Sequence, residues 1–93
     1  QPDKIDQDYF VEAGETNPYL HMGLHLALHE QIQTNRPQGI RDIYQQLLHA
    51  KQDPHHCDHM MMDCLAQSIW QAQRDGMPPS EDEYLNALKQ LLP

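Results

Sequence analysis

The feature that most constrains the fold is a repeated signal for the start of a helix, Asn17-Pro18 and again Asp53-Pro54. Asn and Asp are favoured helix N-caps, and Pro is tolerated at the first helical position because its missing N–H would have no partner there. The signals predict one helix from Pro18 to about Gln33 and another from Pro54 to about Asp75. Gly76 is predicted to end the second of these helices.

Two further helices complete the pattern. Between about residues 37 and 50, apolar side chains recur at the spacing of an amphipathic helix, namely Ile40, Ile43, Tyr44, Leu47 and Leu48. Ser80 with Glu83 forms a capping-box pattern ahead of a leucine-bearing segment. No stretch alternates as a half-buried strand does. We therefore predict an all-α fold, a compact domain resembling a four-helix bundle.

The length of the chain and its first residues predict the domain organisation. A chain of 93 residues supports one hydrophobic core. Residues 1–16 are acidic with little periodicity, and the chain begins without Met. We expect an irregular acidic N-terminal segment over residues 1–16 and a helical domain over residues 17–93. We also expect the chain to be a fragment of a longer protein.

The charge balance excludes several classes of partner. The 6 basic and 14 acidic residues give a net charge of −8. Nucleic acids and anionic membrane surfaces are both bound mainly through cations, so neither is an expected partner. No apolar run approaches the roughly 20 residues that cross a bilayer, and no stretch resembles a signal peptide.

The two cysteines bear on the location of the protein. Cys57 and Cys64, if both lie on one helix, stand about 10 Å apart, beyond the reach of a disulfide. Free thiols fit a reducing compartment, and we therefore expect a cytoplasmic protein.

Seven histidines make this acidic chain unusually rich in imidazole. When residues are placed at intervals of about 100°, His21 and His25 fall within or beside an apolar stripe of the first helix, with His29 at its edge. That stripe consists of Leu20, Leu24, Leu28 and Ile32. Histidines on such a face are predicted to point toward the interior.

The third helix repeats this arrangement. His55 and His59 lie within its apolar arc, which is formed by Met62, Leu65, Ala66, Ile69 and Trp70. Asp63 lies at the flank of the arc, one turn after His59. His56 and Asp58 are expected to face water, and Met60 and Met61 to be exposed.

Side chains four residues apart on a helix are about 5–6 Å apart at Cβ, so two of them can bind one ion. Helical bundles commonly build metal sites from such pairs on facing helices. We predict a site for one divalent transition metal, formed by His21, His25, His59 and Asp63. Three imidazoles and a carboxylate suit zinc, iron, nickel or manganese.

Other interpretations stay open at this point. Without a metal, Asp63 would accept a hydrogen bond from His59 in a structural histidine network. The protein would then be an interaction or dimerisation module that binds a protein partner or a second copy. A third interpretation is a metal-dependent hydrolase of unknown substrate, which needs an open coordination position. His29, His55 and Cys57 are further candidate ligands, and a helix start lowers the pKa of a thiol.

Several separated motifs resemble a family of small bacterial proteins known only as a domain of unknown function. They are Asn17-Pro18-x-Leu20-His21-x-x-x-His25-x-Ala27, Arg36-Pro37-x-Gly39-Ile40, His59-x-x-Met62-x-Cys64-Leu65 and Trp70-x-Ala72-Gln73. The resemblance covers roughly residues 17–88 and implies an additional N-terminal segment, but no established activity. It implies that His21, His25 and His59 are motif positions. The family often has Glu at the position of Asp63 and a basic residue at that of His29.

Overall fold

The structure, a computed structural model, describes residues 18–93, which form four helices on short connections. Their bounds are α1 Pro18–Thr34, α2 Ile40–Lys51, α3 Pro54–Asp75 and α4 Glu81–Lys89. None of these residues is in a strand. The all-α, four-helix prediction is confirmed, while the irregular segment expected over residues 1–16 lies outside the described part of the chain.

The predicted caps of α3 and α4 are confirmed, including Gly76 at the end of α3, while Asn17, the predicted cap of α1, lies outside the described residues. The Asp53 carboxylate accepts a hydrogen bond of 3.1 Å from the backbone N–H of His56 at the start of α3. The Ser80 hydroxyl oxygen accepts one of 3.2 Å from the backbone N–H of Glu83 at the start of α4. The start of α2 differs from the expectation near residue 37, because Gly39 adopts a φ of 103° and the helix begins only at Ile40.

Asn35 and Arg41 build the corner between α1 and α2. The Asn35 side-chain oxygen accepts hydrogen bonds from the backbone N–H of Gly39, at 3.2 Å, and of Arg41, at 3.1 Å. The Arg41 guanidinium donates to the backbone carbonyls of Ile32, at 3.1 Å, and of Gln33. These contacts satisfy carbonyls that the end of a helix leaves without partners. They fix the course of α1 relative to α2.

The core draws on all four helices, with α3 at its centre because it contacts each of the others. Its members are Leu24, Leu28, Ile40, Ile43, Leu47, Cys57, Met61, Met62, Leu65, Ala66, Tyr84 and Leu88. The Tyr84 hydroxyl donates a hydrogen bond of 2.7 Å to the side-chain oxygen of Gln31, joining α4 to the end of α1. Direct packing on α3 holds one face of α1 against the core.

Apolar residues occupy more than one side of α1. Leu24 and Leu28 are buried, whereas Tyr19, Met22 and Leu26 are exposed. The exposed three recur at i, i+3 and i+7, so they share one face of the helix. Between residues 18 and 93, no helix is both long enough and apolar enough to span a membrane.

Candidate metal centre

A row of histidines on α1 faces a second set of polar side chains on α3. His21, His25 and His29 follow one another at intervals of one turn, because a turn takes 3.6 residues. Across the interface, the His59 ring centroid lies 5.0 Å from that of His21 and 5.3 Å from that of His25. The His21 and His25 rings are themselves 4.7 Å apart. Three imidazoles from two helices are therefore mutual neighbours.

The first group of donor atoms consists of one ring nitrogen each from His21, His25 and His59. These nitrogens all lie within 4.8 Å of one another. Nitrogens bound to a tetrahedral zinc ion at about 2.0–2.1 Å are about 3.4 Å apart. All three side chains are half-buried. The three nitrogens are close enough to one another to be candidate ligands of one ion.

The second group consists of His25, His29 and Asp58, and its donor atoms also lie within 4.8 Å of one another. The Nε2 atom of His29 is 3.2 Å from Oδ2 of Asp58. The Asp58 side chain is only 12% exposed, whereas the His29 side chain is 61% exposed. Because His25 belongs to both groups, they form one continuous cluster.

Each group contains a buried polar atom without a hydrogen-bond partner. Among the described residues, these atoms are Nε2 of His59 and Oδ1 of Asp58. Burial, then the charge of Asp58 and a side-chain hydrogen bond with it, raise the pKa of Tyr44, so this phenol interacts with the carboxylate although Oδ1 itself has no partner. A buried polar atom left unpaired costs about 1–3 kcal/mol. A bound cation would remove that cost in either group.

The surroundings favour neutral imidazoles at the centre of the cluster. Burial, and then the charge of neighbouring histidines, lower the pKa of both His25 and His59. The neutral ring is the form that binds metals. Near neutral pH, an ion therefore displaces few protons from these two side chains.

The lowered pKa values predict that the metal-free protein loses stability as the pH falls from about 7 to 5. In this window the unfolded chain, with histidine pKa values near 6.5, binds more protons than the folded protein. The contribution of these two histidines to stability is fully present above their pKa in the unfolded chain, and it is lost as the pH falls toward their lower pKa in the folded protein. Urea unfolding at several pH values in this window should show that the free energy of unfolding falls less steeply with pH for His59→Gln than for the wild type. Equal slopes would contradict the prediction.

Asp63, the carboxylate predicted to be the fourth ligand, is in neither group. It is exposed and lines a surface cavity of about 380 Å³ between α3 and α4, together with Cys64 and Tyr84. The expectation that His55 lies within the apolar arc of α3 is wrong, because the residue lies in the first turn of the helix and is exposed at the edge of the cluster, with its ring 4.2 Å from that of His59.

The two thiols lie outside both donor groups. Cys57 is fully buried, and burial raises the pKa of its thiol, contrary to the lowered pKa that its place near a helix start predicts. Both cysteines are free thiols, as the sequence predicted. Their sulfur atoms are thus no part of the candidate centre.

Asp58 is the member of the two donor groups that the sequence prediction did not include. The expectations that Asp58 faces water and that Met61 is exposed are wrong, since both are buried. Asp58 lies at the centre of the buried arc of α3, with Cys57, Met61, Met62 and Leu65 around it at −1, +3, +4 and +7. That apolar surrounding was the signal in the sequence. Asp63, five residues on, is turned by about 140° around the helix.

Comparison with known proteins adds a family but no activity. The sequence model of one family, described as a domain of unknown function (DUF1841), matches residues 1–90. The match confirms the resemblance seen in the motifs and extends beyond residues 17–88. No curated protein and no solved structure matches the chain.

Proposed function

The chain belongs to the DUF1841 family, and we propose that it binds one divalent transition metal ion between α1 and α3. The proposed ligands are His21, His25 and His59. The observation that carries the proposal is the Nε2 atom of His59, which is buried without a hydrogen-bond partner beside two other imidazoles. Burying such an atom costs free energy, and a shared cation offsets that cost.

The donor set limits the class of metal. Three imidazoles without a thiolate suit zinc, iron, nickel or manganese. Three protein ligands also leave a coordination position for a ligand from solvent, as catalytic zinc sites do. A metal-dependent hydrolase would require such a position.

The charge around the centre favours a cation. The Asp58 carboxylate is the neighbour whose charge raises the pKa of His25, opposing the effect of burial. The whole chain carries a net charge of −8, which raises the local concentration of cations. The free thiols of Cys57 and Cys64 support a cytoplasmic location as part of the proposal.

Metal analysis of protein purified without a nickel column, followed by titration of the metal-free protein with Zn²⁺, tests the proposal. We expect zinc to bind to the wild type, and to bind at least tenfold more weakly to His25→Ala. His49→Ala is the matched control, because His49 is exposed on α2 and lies outside both donor groups. No metal in the purified protein and no binding in the titration would contradict the proposal.

A role as an interaction module is favoured by a different observation. Tyr19, Met22 and Leu26 leave an apolar face of α1 exposed. Contiguous exposed apolar surface often marks a contact with another protein. The zinc titration separates the two functions, because a protein that acts only through this face would bind no metal.

A further inference from the structure

The donors between α1 and α3 outnumber the ligands of a single tetrahedral ion. His21, His25 and His59 occupy three of four positions around such an ion. His29 and Asp58 form the second group, which meets the first only at His25. Each group also contains one buried polar atom without a hydrogen-bond partner, Nε2 of His59 in the first and Oδ1 of Asp58 in the second. An ion bound only by the first group would leave Oδ1 of Asp58 without a partner.

Asp58 has the properties of a ligand without its cation. Its side chain is 12% exposed, and its Oδ1 atom is buried with no hydrogen-bond partner among the described residues. Its Oδ2 atom lies 3.2 Å from Nε2 of His29, but 61% of the His29 side chain is exposed, so solvent weakens the attraction between the two. The Tyr44 hydroxyl also forms a hydrogen bond with the carboxylate, but it carries no positive charge to balance it. A carboxylate is costly to bury unless both oxygens are compensated.

We infer that His25, His29 and Asp58 form a second divalent-cation position beside the first, so that the chain holds two ions. The inference rests on the proposed function, because the two positions have His25 in common. Two imidazoles and a carboxylate suit zinc, manganese or iron. The exposed His29 places this position nearer to solvent than the first.

His55 allows both positions to be filled at once. When His25 binds the second ion, the first ion needs another donor. The His55 ring lies 4.2 Å from that of His59 and 6.5 Å from that of His25, and the residue is exposed, so it has room to turn toward the first ion. Three donors are then available to each ion.

Equilibrium dialysis of the metal-free protein against Zn²⁺, with the bound metal counted per chain, tests the inference. We expect two equivalents in the wild type and one in Asp58→Asn, which keeps the size of the side chain and removes its charge. His29→Ala should also bind one equivalent, and because His29 is exposed this variant tests the position even if Asp58→Asn fails to fold. His56→Ala, an exposed histidine of α3 outside both groups, should still bind two.

The outcomes distinguish this inference from the proposed function. One equivalent in the wild type, lost in His25→Ala, would overturn the second position and leave the first intact. Two equivalents in His29→Ala and in folded Asp58→Asn would place the second ion elsewhere and overturn the inference. No zinc bound to the wild type would overturn both.

Discussion

Zinc is expected to raise the free energy of unfolding of the metal-free protein by about 2.7 kcal/mol when the free ion is at a hundred times its dissociation constant. The reason is that only the folded state brings His21 and His25 of α1 to His59 of α3, with the whole of α2 between them in sequence. Urea unfolding with Zn²⁺, and again with excess chelator, measures the difference.

Two variants make this result specific to the cluster. His25→Ala should lose most of the stabilisation, since His25 belongs to both donor groups. His49→Ala should keep all of it, because this exposed side chain lies on α2, outside both groups. If zinc raised the free energy of unfolding equally in all three proteins, the ion would bind elsewhere. If zinc did not raise it in the wild type, the proposed metal site would be wrong.

Replacing Leu28 with Ala is expected to lower the free energy of unfolding by about 2–5 kcal/mol. Leu28 is fully buried and is part of the face that holds α1 against the core. The substitution removes buried methyl groups and leaves a cavity, which surrounding side chains fill only in part. The midpoint and slope of urea unfolding report the loss.

Leu26→Ala is the matched control for Leu28, because it makes the same chemical change on the same helix at a residue that is 65% exposed. We expect its effect to stay within about 0.5 kcal/mol. Comparable losses in the two variants would contradict the assigned orientation of α1. Since α1 carries two of the three proposed ligands, Leu28→Ala should also bind zinc more weakly.

Most of the fold could be predicted because its signals are local. Asp53 and Ser80 cap the helices that follow them through hydrogen bonds to residues only three positions away. Such contacts depend on neighbouring sequence alone. The start of α2 was predicted too early because Gly39 and Asn35 build a turn there that the apolar spacing does not reveal.

The candidate site could be predicted only in part. The spacing of His21 and His25 is a property of one helix, and their meeting with His59 follows from pairing the apolar faces of α1 and α3. The burial of Asp58 depends on how much of the circumference of α3 is covered by the helices that pack on it. Three helices pack on α3, so its buried arc reaches Cys57 and Met61 and is wider than its most apolar positions indicate.

The partial exposure of the proposed ligands has a consequence for the rate at which a bound ion would exchange. His21, His25 and His59 are each half-buried, so each of them reaches solvent without separation of α1 from α3. Local movements of such residues cost only a small fraction of the free energy of global unfolding. Rotation of one imidazole away from the ion would leave the other two bound. The ion would therefore exchange with its surroundings in a protein that stays folded.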